Sequence, residues 1–232
     1  MRKAVKNIFG KALAAAPKGV QTQFKEMNEM LFWRKHKLKQ GNELYNGHMN
    51  HFFTEHFGIE PSYYSGKRIL DVGCGPVGTL EWATDAAERV GLDPLADKYV
   101  KLTGGKHAMR YVKSGSEDIP FEDGHFDIVT TFNSLDHVED VDQTISELCR
   151  VLRPGGDLLL IVEINHEPTI TEPHFLTEAL LEQFKGCQVV TTGQCAIRDD
   201  HDVYASLSDK TPMPSPNDEG LLWAHFKKQT TA

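Results

Sequence analysis

Cysteine is scarce in this sequence. Cys74, Cys149, Cys187 and Cys195 are scattered, with no Cys-x-x-Cys pair. That is too sparse for a disulfide scaffold and wrongly spaced for a structural zinc site, so a reducing, cytoplasmic setting is expected. Long apolar runs are missing as well. No window approaches the ~18 consecutive apolar residues of a membrane span, and the longest strongly apolar stretch, 158–162, has strand length. Positive charge is in deficit: 25 Lys+Arg face 33 Asp+Glu, a net charge of −8. An acidic chain repels a phosphate backbone, so nucleic acid is not an expected partner. There is no internal repeat, no Walker pattern and no Ser-His-Asp arrangement with a nucleophile elbow.

What remains is an ordinary globular composition, 40% hydrophobic and 25% charged over 232 residues. The start stands apart. Arg2, Lys3, Lys6, Lys11, Lys18 and Lys25 precede the first acid, Glu26. Lys11 interrupts the apolar stretch a signal peptide would need, so the first 25 residues read as a basic amphipathic surface helix, with targeting or membrane contact as the alternative.

The chain changes character near Tyr64. Before it, Phe24, Met27, Met30 and Leu31, then Leu44, Tyr45, Met49, Phe52, Phe53 and Phe57, fall at helical spacing. Gly41-Asn42 separates two helices, and Gly58 with Pro61 ends the second. Residues 1–62 are therefore expected to form a helical cap, and 63–232 the main domain. From Lys67 strands and helices alternate. Strands are expected at 68–72, 90–93, 109–112, 126–132 and 158–164, with helices at 77–89, 95–102 and 138–152. A helix at 175–184 and strands at 188–192 and 221–227 complete the pattern, and 209–220 reads as a loop. This order predicts an α/β, Rossmann-like, doubly wound and mostly parallel seven-stranded sheet, with helices on both faces and an N-terminal helical lid. Ligands then bind at the carboxyl ends of the strands.

After the first strand comes Asp71-Val72-Gly73-Cys74-Gly75-Pro76-Val77-Gly78, which satisfies G-x-G-x-x-G. Glycines of this kind are often turn chemistry alone. Here Asp93 ends the next strand about 20 residues later, the position from which an acid holds two ribose hydroxyls. Two cofactors suit this arrangement, a nicotinamide dinucleotide and S-adenosylmethionine. Asp71 separates them. A carboxylate there repels a pyrophosphate but attracts a ligand carrying an ammonium and a sulfonium.

Five segments in order then carry a resemblance: Leu70-Asp71-Val72-Gly73-Cys74-Gly75, Gly91-Leu92-Asp93, Ser116-Glu117-Asp118-Ile119-Pro120-Phe121, Phe126-Asp127-Ile128-Val129 and Leu152-Arg153-Pro154-Gly155-Gly156. Residues 67–163 resemble the core of the class I S-adenosylmethionine-dependent methyltransferases, of the type 11 small-molecule kind. The resemblance implies S-adenosylmethionine as cofactor and S-adenosylhomocysteine as product. It implies that Asp71, Gly73 and Gly75 line the methionine part, that Asp93 holds the ribose and that Pro94 flanks the adenine. Ser116 and Glu117 would sit at the adenine amino edge, and Phe132 and Asn133 would close the site. Pro76-Val77 departs from the small residues common in relatives and leaves the local turn shape open.

His137 follows the fourth strand, where the methyl should meet its acceptor. It is a candidate general base or substrate contact, though it equally suits a packing role at a helix start. His166 and His174 are second-line substrate contacts. His48 and His51 share a helix face, but histidines on an aromatic helix usually pack, and no metal is expected. Phe132-Asn133-Ser134-Leu135 lacks the Asn/Asp-Pro-Pro-aromatic motif of enzymes acting on nucleic-acid amines. A small-molecule acceptor is expected, with oxygen as first choice. The alternatives are an NAD-dependent oxidoreductase and a non-catalytic cofactor-binding scaffold.

Overall fold

The computed structural model describes residues 16–230, so most of the basic N-terminal segment lies outside the described residues. Helix α1 covers Lys18–Lys39 and α2 Met49–Phe53. Strands β1 (Arg68–Val72) and β2 (Glu88–Leu92) are followed by α3 (Ala96–Thr103), β3 (Arg110–Val112) and β4 (Phe126–Phe132). Then come α4 (Val141–Val151), β5 (Leu152–Ile164), β6 (Cys187–Ala196), α5 (Val203–Asp209) and β7 (Gly220–Lys228).

The strands form one seven-stranded sheet in the order β3-β2-β1-β4-β5-β7-β6. Pairs from β3 through β5 are parallel, and β7 runs antiparallel to both β5 and β6. Successive strand residues point to opposite faces, and a strand covered on both sides must be apolar on both. β5 obeys this. Leu158, Leu160 and Val162 face a core completed by Ile145 and Leu148 of α4, while Leu159 and Ile161 face one completed by Phe52, Phe53 and Leu207. The amphipathic α4 starts at Asp140, whose side chain accepts the Gln143 amide at 2.9 Å and caps the helix.

Two expected helices are not formed. Residues 77–87 run as isolated turns, closed by bonds such as Glu81 N to Gly78 O and Ala83 N to Leu80 O. Arg89 donates to the Leu80 and Glu81 carbonyls, acceptors that a helix would use, and the Glu81 side chain ties the segment to the residues before β3 by accepting the Ala108 and Met109 amides at 3.1 and 2.7 Å. Of the helix expected at 175–184, only a 3-10 run remains, Glu178–Gln183. The second N-terminal helix is also shorter than its spacing suggests, because residues 44–48 stay outside it. Conversely, α5 was not anticipated. Asp202 caps it by accepting the Ala205 amide at 2.9 Å.

Candidate functional site

The strand order reverses between β1 and β4, and there the chain leaves a cleft of about 1570 Å³ at the carboxyl ends of the strands. An ordinary small-ligand site spans ~300–1,000 Å³, so this one has room for two ligands side by side. Asp71, Gly73, Gly75, Asp93, Pro94, Ser116, Glu117, Phe132, Asn133, His137 and His166 all line it. His174 does not. Its Nε2 instead donates to the Val138 carbonyl at 2.8 Å.

One end is built by β1, β2 and the loop between them. Gly73 and Gly75 have φ of +75° and +56°, and a Cβ on Gly73 would lie 2.3 Å from the Ser134 Cβ. Side chains are excluded there on both counts. Asp71 is buried, and Thr130 and Thr79 each donate a hydroxyl to it at 2.6 Å. Burial still pushes its carboxyl up to about 6. Asp93 accepts the Leu95 amide at 2.8 Å through Oδ1 and the Gly75 amide at 3.3 Å through Oδ2. Burial pushes it up to about 6 as well, and each oxygen keeps a free lone pair. Ser116 Oγ lies 3.0 Å from Thr144 Oγ1, and Glu117 Oε1 accepts the Glu139 amide at 2.9 Å.

β4 and β5 both leave the sheet through an asparagine at positive φ, Asn133 at 50° and Asn165 at 62°. Asn133 Oδ1 is buried without a hydrogen-bond partner. Beyond these turns lies the other end of the cleft, lined by His137, Glu163, His166 and Glu172, with the buried Asp136 close to His137 and Glu172. Burial, with the charges of Asp136 and Glu172, lifts Glu163 to about 7.

The third wall is aromatic. Phe32, Trp33, Tyr45, His48, Phe52 and Tyr204 line it, with the Phe52 and Tyr204 rings 4.6 Å apart. Trp33 of α1 stands over the glycine loop, 3.1 Å from where a Gly75 Cβ would be, and donates its Nε1–H to Glu29 at 2.6 Å. Sequence reasoning missed this wall, because three separate elements contribute to it. His48 and His51 do not act together. His48 packs against Tyr204 with ring centroids 5.4 Å apart, and His51 pairs with Glu55 at 3.1 Å.

Known proteins share these features. Residues 70–160 match the family model of a methyltransferase domain. The ubiquinone/menaquinone biosynthesis C-methyltransferase UbiE of Pseudomonas putida (strain GB-1) is 34% identical over 136 residues, covering 52% of this chain and 51% of that protein. Its counterpart from Shewanella piezotolerans is 30% identical over 157 residues, covering 61% and 55%. The chain thus spans about half the length of these curated relatives. Among solved structures, an S-adenosylmethionine dependent methyltransferase from Mesorhizobium loti superposes with a TM-score of 0.55 at 19% identity, over 71% of this chain and 92% of that one. The [4+2]-cyclase SpnF superposes at 0.57 with 21% identity, over 79% and 80%. The sheet order and the site loops define a class I Rossmann-like methyltransferase fold. The fold is thus that of the class I methyltransferases, residues 70–160 of the chain match a methyltransferase domain, and S-adenosylmethionine is the cofactor this match implies.

The residues present fit that cofactor. Among the described residues, two buried carboxylates have no cationic partner, the glycine loop leaves no Cβ in the way, and the buried Asn133 amide oxygen has no donor.

Proposed function

We propose that this chain transfers a methyl group from S-adenosylmethionine to a small acceptor with a flat, apolar face. One observation carries the reading: a single cleft joins the acidic glycine-loop end to an aromatic wall and to a second polar end. In this proposal Asp71 faces the cationic amino-acid part of the cofactor, and Asp93 accepts the ribose hydroxyls through its free lone pairs. Gly73 and Gly75 admit the ligand close to the backbone. Pro94 flanks the adenine, Ser116 and Glu117 meet its amino edge, and Phe132 and Asn133 close the site. When bound, S-adenosylmethionine supplies an electrophilic methyl on its sulfonium.

Alignment does most of the remaining work, because in-line displacement needs the acceptor atom held a short distance from the methyl carbon. The aromatic wall grips the acceptor's flat face, and Trp33 with the rest of residues 16–62 covers the cleft as a lid that excludes water. His137 and His166 contact the acceptor at the polar end, with His174 behind them. Oxygen is our first assignment for the acceptor atom, since that end presents carboxylates and imidazoles suited to a hydroxyl. The names of the curated relatives give carbon for those proteins, so a C-methylated product is the outcome that would overturn the assignment.

The dinucleotide reading is disfavoured by the turns at 77–87. A pyrophosphate is stabilised by a helix N-terminus after the glycine loop, and that helix is not formed here. Calorimetric titration with S-adenosylmethionine, S-adenosylhomocysteine and NAD tests the proposal. Binding of both adenosyl compounds without NAD supports it, and binding of NAD alone overturns it. Transfer of labelled methyl to flat phenolic or quinol acceptors then separates an enzyme from a binding scaffold.

A further inference from the structure

The polar end of the cleft holds an unresolved electrostatic problem. Asp136 and His137 sit on a 3-10 turn after β4, Leu135–His137. Glu172 reaches the same place from the loop after β5. One ligand atom from each of Asp136, His137 and Glu172 lies within 4.8 Å of the others. Asp136 is 0% exposed, and neither of its carboxylate oxygens has a hydrogen-bond partner among the described residues. Its nearest cationic candidate, His137 Nε2, is 3.6 Å away, too far for a hydrogen bond. His166 is also buried, with Nε2 unpartnered. A buried carboxylate without donors is costly, and here Glu163 and Glu172 add charge of the same sign. Glu172 itself is oriented, with Oε2 accepting the Thr169 hydroxyl at 2.9 Å. Metal-binding carboxylates characteristically have such a supporting hydrogen bond.

We propose that Asp136, His137 and Glu172 form a binding site for one divalent transition cation at the acceptor end of the cleft. Two carboxylates with an imidazole suit Mn²⁺ or Zn²⁺ better than Mg²⁺ or Ca²⁺, which favour all-oxygen shells. Three protein ligands leave positions open toward the cleft, where water or an oxygen of the acceptor completes the shell. As a ligand, His137 gives its lone pair to the cation, so its acceptor contact runs through the metal and not through proton removal. Glu163 and the unpartnered His166 stand as reserve donors beside the three.

The test needs neither cofactor nor acceptor, so its failure leaves the methyl-transfer reading intact. The full chain is freed of metal with chelator and titrated with MnCl₂, followed by calorimetry and by loss of the free Mn²⁺ electron paramagnetic resonance signal. ZnCl₂ and MgCl₂ are titrated in parallel. The expected result is one saturable Mn²⁺ or Zn²⁺ site, weakened at least tenfold in Asp136→Asn and in Glu172→Gln, with weaker Mg²⁺ binding. Glu172→Gln lies on a loop, so it reports even where Asp136→Asn fails to fold. Absence of saturable binding to the unsubstituted protein overturns the site, as does binding that Glu172→Gln leaves unchanged.

Discussion

The amide of Gly75 donates to Asp93 Oδ2 at 3.3 Å, tying the glycine loop after β1 to the acid that follows β2. The same carboxylate takes the Leu95 amide through Oδ1. Asp93 thus shapes the glycine loop and keeps lone pairs that, in the proposed function, accept from the cofactor. Asp93→Ala removes both functions. Cofactor affinity should fall by ~1–3 kcal/mol, the loss of charge-assisted bonds to a buried group. Calorimetric titration with S-adenosylhomocysteine checks this, and an unchanged affinity would remove Asp93 from the site.

Proton uptake should oppose cofactor binding. In the unliganded protein Asp71 and Asp93 both titrate at about 6, raised by burial from the ordinary 3.8. Between those values the folded chain holds protons that the unfolded chain has released, so these two groups make stability fall as pH rises through that window. Binding runs the other way, because only the ionised carboxylates attract an ammonium and accept from hydroxyls at full strength. Affinity for S-adenosylmethionine should therefore be flat above pH ~7 and drop as pH falls through about 6. Titrations at pH 5, 6 and 7.5 measure it, and an affinity independent of pH would mean that neither acid faces the ligand.

Gly73 offers a sharper steric test. Its φ of +75° disfavours any side chain, and an added Cβ would lie 2.3 Å from the Ser134 Cβ. Gly73→Ala should cost roughly 1–3 kcal/mol from backbone strain, with the clash added to it. Combining it with Ser134→Gly relieves the clash and leaves the strain. The double variant should recover part of the melting temperature without full cofactor affinity. If the single variant melts with the unsubstituted protein, the tight packing of this loop against the β4 end is wrong.

The sheet and the glycine-loop end of the cleft were legible in the sequence for local reasons. β1 and β4 match their expected ranges because each is a short apolar run with clear ends. Asp71 and Asp93 are readable because a parallel sheet aligns the ends of its strands. The departures have local causes too. Residues 77–87 carry helix-forming side chains, yet Arg89 takes the Leu80 and Glu81 carbonyls that a helix would consume, and Glu81 is drawn to the Ala108 and Met109 amides. The segment Val203–Asp209 is only seven residues long and offers a single apolar i, i+4 pair, Val203 and Leu207, beside the Asp202 cap. The acceptor end was harder still. Tyr45, Phe52 and Tyr204 meet across distances that no local spacing encodes, and Asp136 looks in sequence like an ordinary helix-start acid.

The central strand gives the fold's own test. Leu160 on β5 is fully buried, in the core that α4 completes. Leu160→Ala should destabilise by ~2–5 kcal/mol through lost burial and an unfilled cavity. For a domain of this size that lowers the melting temperature on the order of 10 °C. Circular dichroism melts check it, and a change within about 2 °C would contradict the packing of β5.

Helix α1 carries the last prediction. None of its 22 residues is buried. It is held over the cleft by polar contacts at its flanks, Lys98 to Glu26 at 2.7 Å and Lys37 to the Leu102 carbonyl at 2.7 Å, and by Trp33 above Gly75. Exposed ion pairs contribute ~0–1 kcal/mol each, and a helix without a buried face opens readily. Its amides should therefore exchange with solvent much faster than those of β4 and β5 in the free protein. A ligand filling the glycine-loop end would lie beneath the Trp33 ring and supply the missing apolar contact. Hydrogen exchange followed by mass spectrometry, with and without S-adenosylhomocysteine, should show residues 18–39 slowed on binding and the central strands unchanged. Equal, strong protection of α1 in both states would make it a fixed wall and remove the lid from the proposal. In the lid reading, Trp33→Ala should abolish the ligand-dependent slowing of residues 18–39 and lower the melting temperature only slightly, because that ring stands over the glycine loop and packs on the core only from its edge.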